Sequence, residues 1–273
     1  MAGILYIVGT PIGNLGDFSP RAKEILEQVD FIAAEDTRVT LKLLNKFEIS
    51  TPMISYHEHN HITSGEKIIA RLLGGENCAL VTDAGMPAIS DPGEDLVRLA
   101  HKNEITVSSV PGPSAVITAL AISGMPSGRF SFEGFLSTAK QSRKEHLEVL
   151  KDDTRTLIFY EAPHKLIYTL KDMLESFGDR EIALCKELTK LHETVIHTTF
   201  SKALEDFEVV PPKGEYVMII KGAEPKKEDL MTLEEAIALA KKLQENGESS
   251  SNAAKIAAKE SGFKKSEIYK NLF

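Results

Sequence analysis

The chain has 273 residues, 42% hydrophobic and 26% charged, which allows one large or two medium globular domains and excludes wholesale disorder or a fibre. Its formal charge of −8 at pH 7 means that the molecule as a whole does not attract polyanions, so a nucleic-acid partner has to meet a local basic patch. No apolar run approaches the roughly 20 residues of a membrane helix, and two cysteines in apolar runs, Cys78 and Cys185, exclude a Cys-rich metal site and fit a reducing, cytoplasmic setting.

The N-terminal run is apolar at once, lacks a basic region and leads into Gly9-Thr10-Pro11, so it reads as a first buried strand and not as a signal peptide. Strand-like runs follow at 4–8 (ILYIV), 31–34 (FIAA), 53–55 (MIS), 78–81 (CALV) and 105–110 (ITVSSV). Between and after them come amphipathic segments at 19–28, 37–47, 64–73, 93–103 and 114–123. This alternation predicts a mainly parallel sheet with helices on its faces. Ser19-Pro20 supplies a cap and a first-turn proline, Thr63 with Glu66 spells a capping box, and Gly74-Gly75 ends that helix. SGMPSGRF (123–130) reads as a linker. Beyond it, strands TLIFY (156–160), EIALCKE (181–187), TVIHTTF (194–200) and YVMIIKG (216–222), with helices at 140–150 and 163–177, predict a second α/β domain with a mixed sheet. After Gly222 helix formers and a Thr232/Glu235 capping box predict a small all-helical tail. The expected domains are 1–122, 123–222 and 223–273.

HEHNH (57–61) contains the H-E-x-x-H pattern of zinc hydrolases. That pattern needs a helix to bring residues four apart onto one face, and here it follows a strand-like run and precedes a cap, so it reads as a polar loop and no metal is expected. VGTPIGNLGD (8–17) leaves the first strand with glycines at 9, 13 and 16, which match neither the dinucleotide fingerprint nor a P-loop. TDAGMPAISDPG (82–93) leaves the fourth strand and holds Asp83 and Asp91 near the sheet edge. VPGPSAV (110–116) leaves the fifth, with Ser114 as an N-cap. Each could be a loop braced by its own turns, but loops at the carboxyl ends of parallel strands are where α/β sheets bind ligands. FYEAPHK (159–165) and KELTKLHE (186–193) put Glu161, Lys165, Glu187, Lys190 and His192 just past strands of the second domain, as site residues or as a solvated face.

Taken together, GTPIGNLGD, AAEDTR (33–38), HEHN, TDAGMPAISDPG, PGPSA, FEGFL (132–136), YEAPHK and KELTK resemble the ribosomal RNA small subunit methyltransferase I family, a member of the tetrapyrrole methylase-like class. The resemblance covers roughly residues 4–222 and departs at Thr82 and Met86, where the family usually has Ser and Thr, and at Lys165, where it usually has Arg.

The resemblance implies two α/β domains with S-adenosyl-L-methionine in the cleft between them, a homodimer, and methylation of a cytidine ribose 2′-hydroxyl in 16S rRNA of the 30S subunit. Carried over by position, the cofactor contacts are Ile12, Asp83, Gly85, Met86, Pro87, Ser114 and Ala115, joined by Tyr160, Leu188 and Glu215. Lys264, Lys265 and Lys270 of the tail are candidates for RNA phosphate. In-line methyl transfer needs alignment, exclusion of water and removal of the hydroxyl proton. Glu35, Asp36 and Lys190 are the candidate bases, while Arg38 and Lys190 are equally able to hold phosphate. Arg143 and Lys144, in a stretch that also carries Phe130, Phe132 and Phe135, are further candidates for RNA contact.

Overall fold

The first strand, β1 (Ile4–Val8), is followed by α1 (Pro20–Gln28), β2 (Phe31–Ala34), α2 (Thr37–Lys46), β3 (Met53–Ser55), α3 (His61–Leu73), β4 (Cys78–Val81), α4 (Gly93–Lys102), β5 (Thr106–Val110) and α5 (Ala115–Ile122). The structure is a computed structural model that describes residues 1–225 and 231–272. It forms two compact units, Met1–Ala223 and Glu224–Phe273.

The first sheet has the order β3-β2-β4-β1-β5 and is parallel throughout. Its central strands are buried on both faces, which is why FIAA and CALV read as unbroken apolar runs. Leu5, Ile7, Phe31, Ala33, Cys78 and Leu80 pack on one side against α3 and α4. Val8, Ile32, Ala34, Ala79 and Val81 pack on the other against α1 and α2. Neighbouring strands β1 and β4 therefore send their following helices to opposite faces, and their carboxyl ends open a crevice at the topological switch point.

The second sheet contains β6 (Phe130–Phe135), β7 (Thr156–Glu161), β8 (Glu181–Lys186), β9 (Thr194–Thr199) and β10 (Tyr216–Ile220) in the order β6-β7-β10-β8-β9. Only β6 and β7 are paired in parallel; the remaining pairs are antiparallel, so the sheet is mixed. One face buries Leu157, Phe159, Leu184 and Met218 against α6 (Lys140–Leu150), α7 (Pro163–Phe177) and α8 (Phe200–Val209). The other packs Ile158, Ala183, Cys185, Val217 and Ile219 against Val116, Ala119 and Leu120 of α5. Helix α5 is thus the wedge that seats the first sheet's last crossover on the second sheet.

Several local expectations need correction. The linker expected at 123–130 gives way to β6 at Phe130, and α8 begins at Phe200, which the sequence assigns to the preceding strand. The Thr63/Glu66 capping box does not form. Helix α3 starts at His61 because the Asn60 side chain closes the turn before it, accepting the His57 amide at 2.8 Å and donating to Ser55, while Thr63 Oγ1 donates to the Asn60 carbonyl. Ser114 is the residue before α5, but its side chain makes no cap bond.

In the second unit α9 (Leu233–Glu245), α10 (Ser250–Ser261) and α11 (Lys265–Lys270) surround a core of Ala236, Ala240, Ala253, Ala254, Ala257 and Ile268. The Thr232/Glu235 capping box opens α9 in both directions, and Gly262, at φ 79°, ends α10. Of the tail expected from 223 onward, residues 226–230 and 273 lie outside the described residues.

Candidate active site

The crevice is built by glycines where side chains would block it. A Cβ on Gly9, just past β1, would lie 2.7 Å from both Gly112 Cα and Met86 Sδ, so the loops after β1, β4 and β5 meet only because two of them are bare there. Thr10 and Gly85 exchange backbone hydrogen bonds at 2.9 and 3.1 Å, and Gly85 adopts φ 90°, a left-handed conformation that favours glycine. Asp91 braces the same loop from beneath: its carboxylate accepts the amides of Ala88 and Gly93 at 2.8–3.1 Å. Tyr56 Oη adds a bond to the Pro92 carbonyl.

Opposite stands the turn after β8. Glu187 and Thr189 both hold positive φ without being glycine, at 52° and 63°, and such strain collects at functional sites. Gly13 touches this turn so closely that a Cβ would lie 2.6 Å from Lys190 Cγ. Lys190 Nζ donates to Glu215 at 3.0 Å and to Glu187 at 3.3 Å.

Between these walls lies a cavity of about 640 Å³, within the range of small-molecule sites. Ile12, Asp83, Gly85, Met86, Ser114 and Ala115 line it from the first half, and Tyr160, Leu188 and Glu215 from the second. Pro87 does not line it; it is buried within the loop behind Met86. Glu35 reaches the cavity, whereas Asp36, Arg38 and Lys190 stand outside its lining. Residues with no role assigned from sequence also line it, among them Ile89, His164 and Val217, and so does Phe135, which the sequence flags only as one aromatic of the basic stretch. Phe135 carried a signal in FEGFL, but its direction depends on a backbone irregularity that the sequence does not spell out.

The titratable groups sort by environment. Asp36 caps α2 and holds the Arg38 guanidinium at 2.6 and 3.0 Å, and this hydrogen-bonded partner pulls its carboxyl down to about 2. For Lys190, burial disfavours the charge, but the bonds and charges of Glu215 and Glu187 outweigh it and raise the ammonium above its ordinary value. Asp83 is raised by burial first and by the charge of Glu35 second; its Oδ1 accepts the Asp36 amide at 3.1 Å. Glu35 Oε2 accepts the Thr82 hydroxyl at 2.5 Å.

Arg143 and Lys144 are engaged elsewhere. Arg143 forms a 2.6 Å pair with Asp172, both side chains mostly buried, and donates to the carbonyls of Ser137 and Thr138; Lys144 pairs with Glu175. Their neighbour Phe132 packs on Tyr160. In the second unit Lys264, Lys265 and Lys270 are exposed, with Lys265 Nζ donating to Ser251. The HEHNH histidines do not share a helical face, because His57–Asn60 form a turn and only His61 is in α3. No group of three or more His, Cys, Asp or Glu side chains suited to a metal occurs among the described residues.

Residues 4–204 match the family model of tetrapyrrole (corrin/porphyrin) methylases. The chain belongs to this family. A Synechocystis ribosomal RNA small subunit methyltransferase I is 45% identical over 98% of this chain and 96% of its own length. A protein of the same description from Xylella fastidiosa is 47% identical over 98% of both chains. One from Thermotoga maritima is 46% identical over its whole length, which corresponds to 81% of this chain. These relatives bear out the resemblance carried by the motifs. The fold is shared more widely: a diphthine synthase superposes with a TM-score of 0.62 at 11% identity, covering 80% of this chain and 90% of its own, and a Thermus thermophilus uroporphyrin-III-C-methyltransferase with 0.56 at 18%, covering 80% and 94%. No helix among the described residues is long and apolar enough to cross a membrane.

Proposed function

We propose that this chain, as a cytoplasmic homodimer, transfers the methyl group of S-adenosyl-L-methionine to the ribose 2′-hydroxyl of a cytidine in 16S rRNA of the 30S subunit. The observation that carries this reading is the charge of the cavity. Glu35, Asp83, Asp91, Glu161 and Glu215 line it, and no lysine or arginine does among the described residues. Such a lining suits a cationic sulfonium with its ammonium group and repels a polycarboxylate tetrapyrrole, which needs arginines. Apolar Ile12, Met86, Leu188 and Val217 supply the surface that a nucleoside covers.

The residues present therefore fit S-adenosyl-L-methionine. Asp83 and Glu215 are its polar anchors, and the start of α5 at Ser114 and Ala115, uncapped by any side chain, offers free amides. When bound, the cofactor supplies an electrophilic methyl group. The protein supplies alignment, worth about 7–11 kcal/mol in favourable cases, and a proton acceptor. Asp36 is too weak a base beside Arg38, and Lys190 is held protonated by its two carboxylates. Glu35 remains: it lines the cavity, and the Thr82 hydroxyl fixes one of its oxygens. Arg38, with 88% of its side chain exposed, stands nearby in the chain where RNA phosphate passes outside the acidic cleft.

The test is incorporation of labelled methyl from adenosylmethionine into 30S subunits isolated from a strain lacking this activity, with uroporphyrinogen III as the competing acceptor. Label in 16S rRNA supports the reading. Label in the tetrapyrrole, or in neither, overturns it. A particle of twice the 30.0 kDa chain mass by light scattering supports the dimer.

A further inference from the structure

Strand β6 carries an irregularity with a consequence for the acceptor side of the cleft. Phe132 pairs with Ile158 of β7, but Gly134 pairs with Phe159 and Phe135 with Tyr160, so Glu133 is an extra residue in the ladder. In a regular strand, side chains three positions apart point to opposite faces. The bulge cancels that alternation and returns Phe135 to the same face as Phe132, the face that looks toward α5 and the cavity. Glu133 is turned the other way, where it accepts from Ser131 and meets His146 of α6 at 3.0 Å. Gly134 makes the turn possible with φ 66°.

The result is a wall of three rings. Tyr160 packs against Phe132 at 4.9 Å and against Phe135 at 5.4 Å between centroids, so Phe135 is braced from behind. Phe135 nevertheless lines the cavity and is 58% exposed, and Ile89, on the loop from the first half, is 56% exposed. The two loops approach here: a Cβ on Gly134 would lie 3.9 Å from Ser90 Oγ. A backbone bulge that spends an exposed, buttressed aromatic ring on the mouth of an acidic cleft calls for a flat, uncharged occupant. The lining carboxylates repel phosphate and favour a nucleotide that presents its base and ribose to the cleft and keeps its phosphates toward solvent.

We infer that Phe135 is a positioning residue on which the base of the target nucleotide stacks, with Tyr160 as its buttress, so that the pyrimidine is held while its ribose enters the cleft. This rests on the proposed methylation of a ribosomal RNA nucleotide. Stacking on an aromatic side chain contributes enough that losing it lowers affinity about five- to 140-fold.

The experiment measures steady-state methylation of 30S subunits by the full chain and its Phe135→Ala, Phe135→Leu and Phe135→Tyr variants, with adenosylhomocysteine affinity by calorimetry. Alanine is expected to raise KM for the subunit at least fivefold, with the adenosylhomocysteine Kd unchanged within about twofold. Leucine, which keeps apolar volume but has no flat face, is expected to behave like alanine, and tyrosine to restore KM to near the wild-type value. Wild-type efficiency in the alanine or leucine variant overturns the inference. An equal loss of adenosylhomocysteine affinity also overturns it, because the ring would then belong to the donor's site. If the wild-type chain methylates no 30S preparation, the underlying reading falls and takes this inference with it.

Discussion

Replacing Asp83 by asparagine separates the charge of this carboxylate from its shape. Asparagine keeps an oxygen to accept the Asp36 amide, which Asp83 Oδ1 receives at 3.1 Å, so the loop after β4 retains its tie to the end of β2. What is lost is one charge-assisted hydrogen bond to the donor, worth about 1.5–3 kcal/mol. Asp83 stands at the open lip of the cleft, so the low end applies, and adenosylmethionine affinity by calorimetry is expected to fall about tenfold. The pH dependence carries a sign. Burial and the charge of Glu35 raise the Asp83 carboxyl, so the binding-competent anion is lost on acidification at a higher pH than for an ordinary aspartate. Wild-type affinity should fall across that interval, and the asparagine variant should lack this step. The same raised pKa means that ionised Asp83 opposes folding at neutral pH, so the unliganded variant should melt no lower than the wild type. Unchanged affinity, or an identical pH profile in the variant, would exclude Asp83 as an anionic anchor of the donor.

Glu35→Gln is expected to lower kcat about 10²- to 10⁴-fold while leaving adenosylhomocysteine affinity intact, as measured by single-turnover methylation. Gly112→Ala places a Cβ 2.8 Å from Gly9 Cα, backbone against backbone; calorimetry should show donor binding lost or strongly weakened, with about 1–3 kcal/mol of stability gone in denaturant titrations. Arg143→Ala strands Asp172 in a mostly buried setting and should cost about 2 kcal/mol or more, whereas Lys144→Ala breaks a more exposed pair and should cost under about 1 kcal/mol. Thermal melts of the two variants check this contrast.

The first sheet was legible because its strands are short apolar runs, fully buried at β2 and β4, while helix starts such as Ser19-Pro20 announce themselves chemically. The irregular Gly- and Pro-rich loops could be flagged for the same reason: they interrupt an otherwise strict alternation. Other features depend on partners distant in sequence. Arg143 reads as a free cation until Asp172, 29 residues on, closes on it. Phe135 reads as one aromatic in an alternating run until the bulge at Glu133 reverses its face. Phe200 ends an apolar strand pattern, yet it opens α8, because Thr199 accepts the Lys202 amide and caps the helix there. The HEHNH pentad shows the converse: its motif match is local, but the Asn60 side chain folds it into a turn that no zinc-hydrolase helix shares.

A 2′-O-methyl group removes the nucleophile that alkali uses to cleave the RNA chain, so alkaline hydrolysis of the product locates the transferred methyl. Undermethylated 30S subunits are treated with the enzyme and labelled adenosylmethionine, and the 16S rRNA is then hydrolysed with alkali. Label is expected in an alkali-resistant dinucleotide that begins with cytidine, at most one per subunit, and its appearance is expected to slow at least about a hundredfold when Glu35 is replaced by glutamine. Label released as a base-methylated mononucleotide, or a dinucleotide led by another base, would contradict it.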